Sequence, residues 1–324
     1  MGIERTERQL MVGRWSQAGF GPIARRRLCA WLCILSSLAY LPVAAQELEP
    51  RAYSPNPIGL NFLLLSVGHS SGDVLIDSSL PLSNVEAQFN APVAGYGHTF
   101  GLFDHVASAT IAVPYVIGRA TGDVGNDQRE AHRSGVGDTQ LRFAVNLLGG
   151  PALTAREFAT RVPRTTLGFS LTIVAPTGQY DDRKLINIGS NRWAFKPQLG
   201  VSQPIGKWFV EGYVGAWLFT DNPDFYGGAR REQQPVGTLQ GHVSYEFRSR
   251  LWLAADITYY AGGSTTVNGI GNDDRQSNSR AGLTLSVPFG TRQSMKLSWS
   301  RGATVRVGGD FTTFAAAWQY AWLN

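Results

Sequence analysis

From about residue 58 onward this chain alternates between large apolar and small or polar side chains, residue by residue, in one segment after another. At 166–176, Leu167, Phe169, Leu171, Ile173 and Ala175 form one face, and Thr166, Gly168, Ser170 and Thr172 the other. The same pattern recurs at 251–260, 281–287 and 313–322. A period of two sustained over this length belongs to strands with one apolar face. About twelve segments are predicted, near 58–69, 86–103, 105–118, 136–148, 164–176, 193–203, 207–220, 236–247, 251–261, 279–288, 294–301 and 311–323. Long polar connections are expected at about 70–85, 119–135, 177–192, 221–235, 262–278 and 302–310. Tight ones are expected near 104, 204–206, 248–250 and 289–293, with a mixed stretch at 149–163.

Alternating strands build either a soluble sandwich or barrel with its apolar face inward, or a membrane barrel with that face outward. An even strand count with alternating long and short connections is the outer-membrane pattern. Strands of about 10 residues, tilted, match the hydrocarbon thickness. Charge supplies an independent check. Arg142, Lys196, Glu211, Glu246, Asp256, Arg280 and Lys296 all share parity with the small polar residues, so an outward aliphatic face turns every one of them into the lumen. The opposite register would put them in lipid, at about 2–4 kcal/mol for each Arg or Lys near the midplane. Arg301 breaks parity, but lies at the loop end of its segment. Large aromatics near segment ends (Trp193, Trp208, Trp252, Tyr259, Trp299, Trp322) are candidate interfacial girdles. Charged residues make up 16% of the chain, below the roughly 25% of a soluble domain. The fold class is therefore all-β, a transmembrane antiparallel barrel of the outer membrane with about 12 strands.

The first 45 residues read differently. Arg25-Arg26-Arg27 precedes an apolar run from Leu28 to Leu41, and Val43-Ala44-Ala45 supplies the small residues of a cleavage site before Gln46. The apolar run is too short to span a bilayer. Residues 1–45 are thus expected to be a cleaved signal peptide with an extended N-terminus, and 46–324 a single barrel domain. Met11 offers another start, and the arginine run only weakly resembles a twin-arginine signal. The formal charge of +5 is concentrated in this leader: six Arg and two Glu there, against 23 Lys or Arg and 22 Asp or Glu in the rest. No basic stripe remains to bind nucleic acid. Both cysteines, Cys29 and Cys33, fall inside the apolar run, so the mature chain has no disulfide, thiolate metal site or cysteine nucleophile.

Several stretches resemble the outer-membrane "MetA-pathway of phenol degradation" transporter-like family. They are Pro50-Arg51-Ala52-Tyr53-Ser54-Pro55-Asn56-Pro57-Ile58-Gly59, Gly135-Val136-Gly137-Asp138, and Pro176-Thr177-Gly178-Gln179-Tyr180 followed by Asn187-Ile188-Gly189 and Pro197-Gln198-Leu199-Gly200. The resemblance covers roughly residues 47–324. It implies a porin-like barrel and passive transport of small hydrophobic or aromatic compounds linked to their degradation. It brings no catalytic residue and no cofactor. The terminal Trp322-Leu323-Asn324 departs from the usual last-position aromatic. Expected partners are outer-membrane lipids and lipopolysaccharide, the barrel-assembly machinery and a small hydrophobic solute.

Other chemistry finds thin support. His69, His98, His105, His132 and His242 show neither His-x-x-x-His nor His-Glu-x-x-His spacing, so no metal centre is predicted. A hydrolase built into the barrel would pair His98 with a serine such as Ser108 across neighbouring strands, within hydrogen-bond reach. Gly95-Tyr96-Gly97 and Gly269-Ile270-Gly271 open no helix and read as strand or turn glycines; Asp181-Asp182 and Asp273-Asp274 lack calcium-loop spacing. The lumen is richer. Phe209, Glu211, Tyr213 and Trp217 form one inward row, and Trp252, Asp256 and Tyr260 another. Two readings stand: successive stacking sites for an aromatic solute, or side chains that brace a narrow barrel. Glu211 and Asp256 suit a phenolic hydroxyl; Lys196, Arg280 and Lys296 suit a carboxylate. The competing function is a structural or enzymatic barrel.

Overall fold

The computed structural model of the chain describes residues 48–75, 82–124, 127–184 and 186–323. The expected signal peptide, residues 1–45, lies outside the described residues. Seventeen strands follow in order: β1 (Leu60–Leu75), β2 (Leu82–Leu102), β3 (His105–Val124), β4 (Asp127–Val136), β5 (Thr139–Leu148), β6 (Thr166–Ala175), β7 (Ala194–Ile205), β8 (Trp208–Phe219), β9 (Asn222–Phe225), β10 (Ala229–Gln233), β11 (Val236–Arg248), β12 (Leu251–Gly262), β13 (Thr265–Val267), β14 (Ile270–Gly271), β15 (Gln276–Phe289), β16 (Gln293–Thr304) and β17 (Gly308–Leu323). A four-residue helix, α1 (Ala155–Phe158), sits between β5 and β6.

The wall is a closed antiparallel barrel of twelve strands. β1 closes it, pairing with β2 on one side (Asn61 opposite His98) and with β17 on the other (Leu60 opposite Leu323). β4 and β5 occupy one place in the wall: β4 pairs with the far half of β3 and β5 with its near half. The interruption falls at Gly137-Asp138, where the Gly137 N–H donates to the Pro114 carbonyl. The short β9, β10, β13 and β14 form a separate four-stranded sheet at the long-connection end.

Sidedness follows the expected parity. Leu65, Val67, Ile117, Phe143, Val214, Leu239, Ile257, Leu283 and Phe314 all point out and are exposed. An apolar belt carried around every part of the wall far exceeds the few hundred Å² tolerated on a soluble surface. It is instead the face a bilayer covers. The seven charges assigned to the lumen all lie on the inner face, and Arg301 points out near the end of β16. Trp193, Trp208, Tyr259, Trp299 and Leu323's neighbour Trp322 lie on the outer face. Trp252 does not: only 5% exposed, it faces inward, so it belongs to the lumen and not to a girdle.

Three expected loops prove to be strand. β1 runs on to Leu75 and β2 begins at Leu82; β3 reaches Val124 and β4 starts at Asp127, within 119–135; β16 and β17 consume most of 302–310. Their outward side chains are polar there (Asp73, Gln88, Arg119, Glu130, His132), because this part of the barrel stands beyond the apolar belt. Backbone pairing needs no apolar face, so the ladder continues where the hydrophobic signal stops. Inside this extension, Val74, Val85, Phe89, Val116 and Phe311 form an apolar cluster. Ile186 and Ile188, from the connection between β6 and β7, pack against it. The connection at 177–192 thus folds inward over the mouth.

The mixed stretch 149–163 is organised by a capping box. The Thr154 side chain accepts from the Glu157 N–H, and the Glu157 carboxylate accepts from the Thr154 N–H at 2.8 Å. These reciprocal bonds satisfy the orphan donors that begin α1. They also hold the Glu157 carboxyl below its ordinary value.

Candidate functional site

The Pro-rich stretch before β1 enters the barrel. At its base the Gly59 N–H donates to the Thr99 carbonyl, and the Ile58 N–H to that of Leu153. From there residues 57 back to 48 climb inside the wall. Tyr53 is 1% exposed. Its hydroxyl lies 2.9 Å from the Ser170 hydroxyl and accepts from Gln198 Nε2 at 3.1 Å, while its ring meets that of Tyr213 edge-on at 5.1 Å. Gly168 and Gly200 make the room: a Cβ on either would come within about 2.2 Å of the Tyr53 ring. Those two strand glycines are a floor for an aromatic ring.

Arg51 is the second anchor. Its N–H donates to Glu211 Oε2 at 2.7 Å, and its guanidinium to Ser244 at 3.2 Å and Glu246 at 2.6 Å. The guanidinium also lies 3.9 Å from the centre of the Phe209 ring, an arrangement favoured by the ring quadrupole. Arg51 adopts φ +65°, uncommon without glycine. Its several partners hold it there. Further in, Glu49 stands in the field of Arg142, Lys196, Lys296 and His242, and Leu48 packs against Gly282 of β15.

The wall residues singled out from sequence therefore divide. Phe209, Glu211, Tyr213 and Trp252 face inward, but the N-terminal segment covers them, with Trp252 5.4 Å from the Arg51 guanidinium. Asp256 is closed off by His242 (Nδ1 to Oδ1 2.7 Å) and by the donating Thr284 hydroxyl at 2.8 Å. The side chains of His242 and Asp256 are fully buried. Arg280 donates to the Phe311 carbonyl at 2.6 Å and to Thr313, bracing β15 against β17. Lys296 sits 5.7 Å from the Trp252 ring, toward Glu49. Trp217 and Tyr260 line one cavity, and Trp217 and Lys196 another. In the near half of the lumen these wall side chains meet a segment of the same chain. Alternation revealed which side chains point inward; it carried no sign of what would meet them.

Two cavities lie in the lumen among the described residues. The outer one, about 260 Å³, is bounded by Trp217, Phe219, Val236, Tyr260, Arg280, Phe311 and the inward loop residue Ile188. The inner one, about 270 Å³, is bounded by Phe62, Leu64, Gln140, Arg142, Lys196, Trp217 and Glu49. Trp217 and Gln140 line both, so they stand between them. The Lys196 ammonium lies 5.6 Å from the Trp217 ring. The arrangement is an outer chamber lined by aromatic side chains and by Arg192, Arg231 and Arg280, an indole at the waist, an inner chamber with Arg142, Lys196 and Glu49, and a folded segment below.

The outer chamber owes its shape to one junction. The Asp138 carboxylate accepts from the Gly178 N–H at 2.8 Å, the Ser190 N–H at 2.8 Å and the Ser190 hydroxyl at 2.5 Å. Gly178 and Gly189 touch so closely that a Cβ on Gly178 would lie 2.8 Å from the Gly189 Cα. Gln179 packs across Gly135 and donates its N–H to the Val136 carbonyl. The stretches 135–138, 176–180 and 187–189, separate in sequence, are one structure.

The hydrolase pairing does not form. Ser108 is the strand partner of Thr99, on the inner face, whereas the adjacent His98 faces outward and hydrogen-bonds Asn61 at 2.9 Å. The acidic pairs have protein partners: Asp181 with Arg183 and Lys184, Asp273 with Arg306, Asp274 with Thr265. Arg183 in particular holds the Asp181 carboxyl down at about 2. Gly95 and Gly97 are strand residues and Gly269 lies in the turn between β13 and β14.

An apolar outer belt, a polar lumen and a segment folded into it define an outer-membrane type of β-barrel with solute-sized chambers. The chain belongs to the family described as "Putative MetA-pathway of phenol degradation", whose model it matches over residues 68–320. Among solved structures, it is similar to the COG4313 outer membrane channel from Pseudomonas putida F1, with a TM-score of 0.74 and 23% identity over 85% of this chain and 100% of that one. It is also similar to the beta domain of the Bordetella autotransporter BrkA, with a TM-score of 0.52 and 10% identity over 82% of this chain and 100% of that one. At these identities the likeness concerns the fold. No curated protein matches the chain.

Proposed function

We propose that this protein is an outer-membrane channel for small aromatic or hydrophobic solutes, exported by its N-terminal signal and cleaved before Gln46. The tight connections and both ends of the barrel face the periplasm, and the long connections face outward. The observation that carries this reading is the pair of stacked chambers meeting at Trp217. Each is slightly smaller than the roughly 300 Å³ where pockets for drug-sized ligands begin, a size suited to single-ring solutes. Such a solute enters over Ile188, rests among Trp217, Phe219 and Tyr260, and passes the indole into the inner chamber. Chambers that attract weakly and in sequence allow both capture and release. Below them the segment from Leu48 to Gly59 fills the lumen, so passage requires it to move. The family name and the fold likeness to a channel support the reading. Uptake of labelled phenol, toluene and benzoate at limiting concentration, by cells with and without the protein, tests it. Protein-dependent uptake of at least one is expected; uptake unaffected for all three overturns it.

A further inference from the structure

Glu49 is out of place for a residue that merely fills space. The inner chamber already carries Arg142 and Lys196 on its wall, and Lys296 approaches from the opposite side. Confining cations of one sign in a narrow lumen is costly without a counter-charge. The wall carboxylates Asp256 and Glu211 act on Lys296 as well, but Asp256 is engaged by His242 and Thr284, Glu211 is turned to the Arg51 N–H, and neither bounds the chamber that holds Arg142 and Lys196. The counter-charge arrives instead on the N-terminal segment, as the Glu49 carboxylate. One guanidinium nitrogen of Arg142, Nη2, is buried with no hydrogen-bond partner, so even with Glu49 present the chamber has donor capacity to spare. Beside these cations lie apolar surfaces, Phe62, Leu64 and the Trp217 ring.

We infer that the inner chamber is a binding site for an aromatic carboxylate, and that Glu49 is a tethered stand-in for the solute's carboxylate, held there until a solute displaces it. The inference rests on the channel reading and adds to it the class of solute and the means of release. A carboxylate that reaches Arg142 and Lys196 from the outer chamber replaces the Glu49 charge one for one. Its ring takes the apolar wall beside Trp217. Once Glu49 loses its cations, the segment keeps Arg51 and Tyr53 but loses its innermost tie. A neutral phenol has no charge to exchange and leaves Glu49 seated. The solute therefore loosens the segment that closes its own path.

Block of ionic current by benzoate, phenol and benzylamine, recorded for the full-length protein in planar bilayers, tests this. Benzoate is expected to act at lower concentration than phenol, and benzylamine least. In Glu49→Gln the half-maximal benzoate concentration should fall about tenfold with phenol unchanged; Glu49→Asp should stay near the parent. Arg142→Gln with Lys196→Gln should remove the preference for benzoate over phenol. Equal shifts for benzoate and phenol in Glu49→Gln, or no shift for either, would overturn the inference while leaving the channel intact. Absence of any ionic current from both the full-length protein and a variant lacking residues 48–57, which pair with no wall strand, would overturn the channel reading itself.

Discussion

His242 and Asp256 sit opposite each other on paired strands, fully buried, with Thr284 completing the carboxylate's shell. Replacing His242 with Ala leaves a buried charge with one partner, and removing half of such a pair costs about 3 kcal/mol or more. The urea midpoint of the refolded barrel in detergent should fall accordingly, and an unchanged midpoint would mean that lumen water replaces the imidazole. Gly200→Val works by another route. The new side chain occupies the space of the Tyr53 ring, so the segment is expelled while the wall survives. Crosslinking between cysteines placed at 48 and 282, positions that meet in the parent, should drop in that variant. Strand period made the inward parity of Lys196, Glu211, Asp256 and Arg280 legible in the sequence. Their partners were not legible, because Arg51 meets Glu211 and Glu246 across 160 and 195 residues. No local pattern encodes such a meeting.

The elements show where hydrophobic periodicity stops carrying information. It located all twelve wall strands, since each crosses an apolar layer and must present alternating faces to it. It missed the polar ends of β1 to β4, and it carries no information on where the stretch 48–59 lies. The turn-like motifs at 135–138, 176–180 and 187–189 were visible as glycine and proline chemistry, but only the fold shows them converging on Asp138. Asp138→Ala should free the three donors it accepts, loosening the connection 177–192 without altering the wall. More frequent current flicker at unchanged maximum conductance is the expected record. That connection also responds to acid. Arg183 depresses the Asp181 carboxyl from 3.8 to about 2 in the folded state, so its contribution is complete above about pH 3.8 and disappears as pH falls through about 2. Pepsin cleavage near 181–184 should rise across that window, and Asp181→Asn should be equally susceptible at both ends of it. Susceptibility that differs across the window in Asp181→Asn would assign the change to another group.

At the scale of the molecule, one chain builds both a pore wall and the object that fills it. The wall closes through β1 and β17, whereas residues 48–59 pair with no wall strand and take their side-chain anchors, at Arg51 and Tyr53, from the lumen. Assembly and occlusion are thus separable, as a channel with a displaceable segment requires. A variant lacking residues 46–58 should still show the heat-dependent gel mobility of a folded barrel, and failure to do so would mean the segment is needed for folding. The most direct measurement is the single-channel conductance of that variant beside the full mature chain, in the same bilayer and salt. The full chain should give small or brief openings and the variant a larger, steady one. Equal conductance from both would contradict a lumen closed by its own N-terminal segment.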